Sequence, residues 1–219
     1  TVETHYAEGS LTLGWGQSFF KIPAQNSFRR TMNVQVWNDS FTAALEPDLY
    51  SQALSQYLGQ NCRLVRYAPF SERKVGAEVK ASWSPEVRFA DGRPLLLVNE
   101  ASLQDLNARL ADPVGVERFR PNIVVRGSTP YEEDNWSRIR LGEVIFSAPK
   151  KCARCVMINI DQKTGVSRGA EPLKTLAQFR REGAKVHFGT LWIPENAGTI
   201  RVEDSLEVLG HMAHSKAES

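Results

Sequence analysis

The chain has 219 residues, 42% hydrophobic and 24% charged, enough to build one large core or two small ones without disulfide staples. A formal charge of +2, from 27 Lys and Arg against 25 Asp and Glu, is too small for a dedicated nucleic-acid binder. No apolar run approaches the roughly 18 residues that span a bilayer, no charged-then-apolar leader opens the chain, and three cysteines make no disulfide framework. The expectation is a reduced, cytoplasmic protein with no nucleic-acid or membrane partner.

Short runs rich in β-branched and aromatic residues, punctuated by Gly, Pro, Asn and Asp, predict strands. Leu11–Leu13 and Val34–Trp37 come first. Pro47–Leu58 predicts a helix with Leu49, Ala53, Leu54, Tyr57 and Leu58 on one face and Gly59 as its stop. A strand follows at Cys62–Tyr67, and the polar stretch Pro69–Lys80, without clean periodicity, reads as a linker. Pro94–Val98 predicts a strand, and Ser102–Leu110 a helix opened by a serine N-cap with an acid three residues on. Further strands are expected at Asn122–Arg126, Ile139–Leu141, Val144–Phe146, Val156–Ile160, Val186–Ile193 and Thr199–Val202. Between Val156–Ile160 and Val186–Ile193 lies a helix over Glu171–Arg181, with proline near its first turn and arginines in its last. Many short strands and three helices predict a mixed, β-dominated barrel; there are no alternating βαβ units and no Gly-rich phosphate loop.

Basic residues cluster at Arg29-Arg30, Lys150-Lys151-Cys-Ala-Arg154 and Arg180-Arg181, and such pairs are usually solvated surface. The middle cluster falls among four local signals that sit within about 50 residues. Arg118–Val125 is a basic turn entering a strand, and Tyr131–Trp136 an acidic turn ending in a large aromatic. Cys152-Ala-Arg-Cys155 precedes an apolar run, and Asp161–Gly165 is a turn closed by glycine. Each has a plain structural alternative, Trp136 as core and Arg-Pro-Asn as a simple turn. Three chemistries compete for the Cys-x-x-Cys pair. Half a zinc site would need further ligands, for which His211 and His214 are distant and His187 alone. A redox pair should cap a helix, whereas a β-like run follows Cys155. A single thiolate could hold a soft, high-valent metal, with neighbouring cations favouring the thiolate and an anionic cofactor.

The order and wording of the motifs carry a resemblance. Asn99–Asn107, Phe119-Arg-Pro-Asn-Ile-Val124, Glu133-Asp-Asn-Trp136, Cys152-Ala-Arg-Cys155 with Asp161 and Thr164-Gly165, Glu171–Leu176, Phe188-Gly189 and Glu195–Ile200 together resemble the MOSC family, named for the C-terminal domain of molybdenum cofactor sulfurases. The likeness runs over about residues 86–210, and within the family it is nearest to the amidoxime-reducing components and their bacterial relatives. It implies a MOSC-type β-barrel with a few helices over 81–219, preceded over 1–80 by part of an N-terminal MOSC-associated β-barrel domain. It also implies a molybdenum cofactor (molybdopterin). Cys155 would be the thiolate ligand to molybdenum and hence the catalytic group. Arg154 would lie against the pterin and its phosphate, and Arg120 and Asn122 would also hold the cofactor. Guanidinium forks suit a phosphate and an amide suits a pterin edge. Cys152 is read as a small core residue, and Asp134 as either structural or orienting a proton or an arginine.

Two departures accompany the likeness. Relatives open with a strand bearing a Tyr-Pro-Val-Lys-Ser-like motif whose Lys and Ser help hold the cofactor, and none is found here. The chain opens on Thr1, so either it is shortened or it is a variant lacking part of the pocket. Some relatives append an iron–sulfur domain, and three cysteines are too few for one. Electrons would then come from a separate donor protein of flavin, haem or iron–sulfur type. The resemblance thus implies a molybdenum-dependent oxidoreductase that removes oxygen from small N-hydroxylated molecules. Its rival is a non-catalytic module that carries or transfers the cofactor or its sulfur, linked to pyridoxal phosphate only at the level of the family. A third reading is a structural β domain with a vestigial site.

Overall fold

The computed structural model describes residues 2–15, 18–24, 29–75, 85–127, 129–167 and 169–213. They form two units, 1–73 and 74–219. Residues 76–84, which take in the end of the expected linker Pro69–Lys80 and the boundary expected at 80/81, lie outside the described residues. The β-dominated architecture with three helices agrees with the sequence expectation. Among the described residues no helix is long and apolar enough to cross a membrane.

The first unit holds two small antiparallel sheets. One comprises β1 (Glu3–Ala7), β2 (Ser10–Trp15) and β3 (Ser18–Pro23); the other comprises β4 (Thr31–Val36), β5 (Asp39–Leu45) and β6 (Val65–Arg66). Helix α1 (Asp48–Leu58) ends at Gly59, whose left-handed φ of 68° suits a residue without Cβ. Its inward face differs from the one expected. Ser51 and Leu54 are buried, whereas Leu49, Tyr57 and Leu58 are exposed. The helix is held partly by polar contacts, with Ser51 Oγ accepting from the Leu64 N–H at 3.0 Å.

The second unit is built on one sheet in the order β13-β9-β10-β12-β7-β8, with the short β11 (Arg181–Glu182) beside β12. Its strands are β7 (Leu95–Asn99), β8 (Ile123–Val125), β9 (Trp136–Leu141), β10 (Val144–Arg154), β12 (Lys185–Pro194) and β13 (Leu206–His211). All neighbours are antiparallel except β7 and β8. Side chains alternate across the sheet and make a core on each face. Leu97, Trp136, Phe146 and Trp192 pack on one side; Leu96, Val98, Phe119, Ile158 and Phe188 pack on the other.

Strict alternation would put Phe188 and Trp192 on the same side. They part because β12 carries an extra residue between the pairs Thr190–Lys151 and His187–Ala153. Gly189 sits in this bulge with φ 71°, and a Cβ there would lie 2.7 Å from the Leu97 carbonyl oxygen. The bulge therefore turns Phe188 and its carbonyl toward the end of β10.

Several expectations need correction. Helix α2 (Glu100–Asn107) starts earlier than predicted, capped by Asn99, whose Oδ1 accepts from the Ala101 N–H; Ser102 lies inside the helix. Helix α3 spans Leu173–Phe179, so Arg180 and Arg181 fall just beyond it. Val156–Ile160 is not a strand but carries a 3-10 turn, Val156–Asn159. Thr199–Val202 is irregular, because Asp204 Oδ2 accepts the Arg201 N–H and turns the chain before β13 begins.

Candidate functional site

Strand β10 delivers the Cys-Ala-Arg-Cys segment. Cys152 and Arg154 project to the same face, where Cys152 packs at the edge of the Phe188 core and burial pushes its thiol pKa up. That is the structural role expected of it. Arg154 is anchored by its own fork. Nε donates to the Phe188 carbonyl at 3.0 Å, Nη2 reaches the Phe119 carbonyl at 3.4 Å, and the guanidinium carbon lies 5.3 Å from the centre of the Phe119 ring. No carboxylate pairs with it among the described residues, and burial lowers its pKa. A half-buried cation without a counter-ion invites an anion.

Cys155 follows with an extended backbone, φ −118° and ψ −179°, at the start of the 3-10 turn Val156–Asn159. Its thiol lies within electrostatic reach of the Arg154 guanidinium. It is an exposed, free thiol. A 3-10 turn after Cys155 removes the β-run argument that had been set against a redox pair. The turn is only four residues long, however, and supplies no α-helix to cap. Among the described residues no three His, Cys, Asp or Glu side chains gather into a metal site, and His214 lies outside them.

The Arg-Pro-Asn segment is brought beside this turn. The 3-10 turn Val116–Phe119 is tied to the Cys155 loop by Arg118 Nη2 to Asp161 Oδ2 at 3.2 Å and by Gln162 Nε2 to the Arg118 carbonyl at 3.3 Å. Asp161 is itself fixed as expected of a turn residue. Its Oδ1 accepts the Lys163 and Thr164 N–H groups, Gly165 closes the turn with φ 70°, and these bonds lower the carboxyl pKa. Arg120 comes next, exposed, with φ 53°; its backbone N–H donates to the Glu117 carbonyl, and its side chain has no polar partner among the described residues. A left-handed arginine stores strain of order 1 kcal/mol. Asn122 clasps β7: its N–H donates to the Leu96 carbonyl at 2.9 Å and its Oδ1 accepts the Leu96 N–H at 2.8 Å. Its acceptor is thus used structurally, and its amide NH2 remains available.

The structure therefore gathers Arg120, Asn122, Arg154 and Cys155 from two tethered turns, but does not line one cavity with all four. A cavity of about 650 Å³ beside α3 takes in Arg154 and Val156, not Cys155, Arg120 or Asn122. An exposed thiol, a cation without a counter-ion, a strained free arginine and a spare amide donor together fit an anionic group with a soft metal.

Asp134 proves to orient an arginine. Its Oδ2 accepts from Arg180 Nη2 at 2.5 Å, and Lys151 Nζ lies 3.8 Å away. Trp136 is core, 3% exposed. Sequence reasoning missed Glu133, fully buried, whose two oxygens accept from Ser102 Oγ at 2.8 and 2.9 Å; burial raises its pKa. It also missed Asn159, Lys174 and Arg181 as cavity-lining groups. A buried Glu can be read from sequence only as part of an acidic turn.

Comparison with known proteins gives a match to the MOSC domain family model over residues 84–207. Mitochondrial amidoxime-reducing component 1 of Mus musculus is 37% identical over 171 residues, covering 73% of this chain and 50% of that protein. Its Homo sapiens counterpart is 34% identical, covering 73% and 51%. Molybdenum cofactor sulfurase of Oryza sativa subsp. japonica is 36% identical, covering 72% of this chain and 21% of that protein. The chain spans about half the length of the amidoxime-reducing relatives it matches and about a fifth of the sulfurase.

Proposed function

The chain belongs to the MOSC domain family, and we propose that it holds a molybdenum cofactor through Cys155 and reduces N-hydroxylated small molecules by removing oxygen. The observation that carries this reading is the exposed Cys155 thiol, delivered at the end of β10 beside an arginine that has no carboxylate partner among the described residues. The names of the relatives, amidoxime-reducing components and cofactor sulfurases, point to the same cofactor. When bound, the cofactor would supply two-electron chemistry at molybdenum: the N–O bond breaks, two electrons and two protons are taken up, and water leaves.

The residues of this chain have simpler tasks. Cys155 donates a thiolate from a position open to solvent, so a bulky group can reach it without unfolding. Arg154 offers positive charge held in place by the Phe188 and Phe119 carbonyls, which fixes orientation before binding. Arg120 and the Asn122 NH2 group add donors from the neighbouring turn. Electrons would arrive from a separate donor protein, and free thiols suit a reducing compartment such as the cytoplasm.

Benzamidoxime reduction with an artificial electron donor tests this reading. Turnover by the molybdenum-loaded chain supports the reductase. Tight molybdenum without turnover supports the rival reading, a carrier of the cofactor or its sulfur, for which the sulfurase likeness speaks.

A further inference from the structure

Cys155 does not line the cavity beside α3. Arg154 (at the end of β10), Lys174 (on α3) and Arg181 (on β11) all line it, and no carboxylate does. The side chains of Lys174 and Arg181 are exposed and have no ion-pair or hydrogen-bond partner among the described residues, and the Arg154 guanidinium has only two carbonyls and the Phe119 ring. Asn159 also lines it and is 6% exposed. Its Oδ1 accepts the Leu173 N–H at 3.1 Å, and its NH2 group is left as a donor with no hydrogen-bond partner among the described residues. Apolar surface from Leu173 and Val186 completes the lining. At about 650 Å³ the space is in the ordinary range for a small-molecule site.

We propose that this cavity is a second site that binds a small organic anion. A carboxylate or phosphate ester sits against the three cations and the Asn159 amide, with an apolar body on Leu173 and Val186. Charge and shape both point this way. Three like charges around one space repel one another, and an anion removes that cost. The apolar wall adds affinity that a bare inorganic ion does not gain. The site adjoins the proposed cofactor site and shares Arg154 with it, so that it rests in this respect on the proposed function, whereas Cys155, Arg120 and Asn122 do not line the cavity.

The test is a titration of the full chain, followed through its two-dimensional 1H–15N spectrum, with benzoate, phenyl phosphate, inorganic phosphate and benzamide as probes. Saturable shifts of the Asn159, Lys174, Gln178 and Arg181 amides are expected with benzoate or phenyl phosphate, the tighter of the two naming the anion. The K174Q/R181Q double variant should bind about tenfold more weakly, as two exposed charge pairs of roughly threefold each imply. Its molybdenum content should equal that of the wild type. No saturable shift at these amides overturns the proposal, as does undiminished affinity in the double variant. Equal binding of inorganic and phenyl phosphate, or of benzamide and benzoate, removes the stated ligand class. Loss of molybdenum in the double variant would assign the cavity to the cofactor instead. A chain that holds no molybdenum in any form undermines the proposed function and leaves the titration to decide this site by itself.

Discussion

Replacing Asn122 separates folding from cofactor holding, because the two ends of its amide face different tasks. Its Oδ1 is the acceptor for the Leu96 N–H at 2.8 Å, and Leu96 is only 8% exposed. Removing the acceptor in Asn122→Ala strands a buried N–H, which costs about 1–3 kcal/mol. For a unit of this size the melting temperature should fall by roughly 3–10 °C. Asn122→Asp keeps an oxygen in the same place and loses the NH2 donor while adding negative charge beside Arg120. Its stability should stay within about 0.5 kcal/mol of wild type, yet molybdenum retention should fall well below that of the alanine variant. Scanning calorimetry and metal analysis on the same preparations read both effects. If Asn122→Ala melts like wild type, the clasp on β7 carries no stability. If Asn122→Asp keeps its molybdenum in full, the amide does not face the cofactor.

Three other perturbations follow from the geometry. Gly189→Ala places a Cβ 2.7 Å from the Leu97 carbonyl oxygen at φ 71°, and should lose more than about 2 kcal/mol in urea unfolding; an unchanged midpoint would mean that the bulge relaxes freely. Arg120→Gly relieves a left-handed φ of 53° and should raise stability by up to about 1 kcal/mol while weakening cofactor retention; lower stability would show that the arginine's packing outweighs its strain. His187 is buried, and burial, with the nearby Lys151 and Arg180 cations acting in the same direction, holds its pKa below 6.5 although Glu182 opposes them. The unfolded chain therefore takes up the proton first as pH falls, so stability present above about pH 6.5 is lost below it. His187→Gln should flatten that decline in pH-dependent melting, and an unchanged slope would assign the loss elsewhere.

Much of this architecture was legible where one physical signal dominated. Gly59 stops α1, Trp136 is core and Gly165 closes its turn, because backbone freedom and ring size leave few alternatives. The motif order from Asn99 to Ile200 marked the family. What stayed hidden was set by tertiary context. Val156–Ile160 has strand-like composition, but Ile158 is drawn inward against Phe119 and Phe188, and the Arg118–Asp161 pair holds the loop short, so a 3-10 turn forms. Ser102 resembles an N-cap, but buried Glu133 takes its hydroxyl, and Asn99 caps one turn earlier. The Gly189 bulge, which turns Phe188 toward Arg154, shows in sequence only as a glycine within a strand run.

The central claim rests on a sulfur at position 155 binding metal while the thiol three residues earlier serves packing. Purification from a host that makes the cofactor, followed by elemental analysis of wild type, Cys155→Ala and Cys152→Ala, tests it most directly. The account predicts near-stoichiometric molybdenum in wild type and Cys152→Ala and almost none in Cys155→Ala. Equal molybdenum in wild type and Cys155→Ala would contradict it.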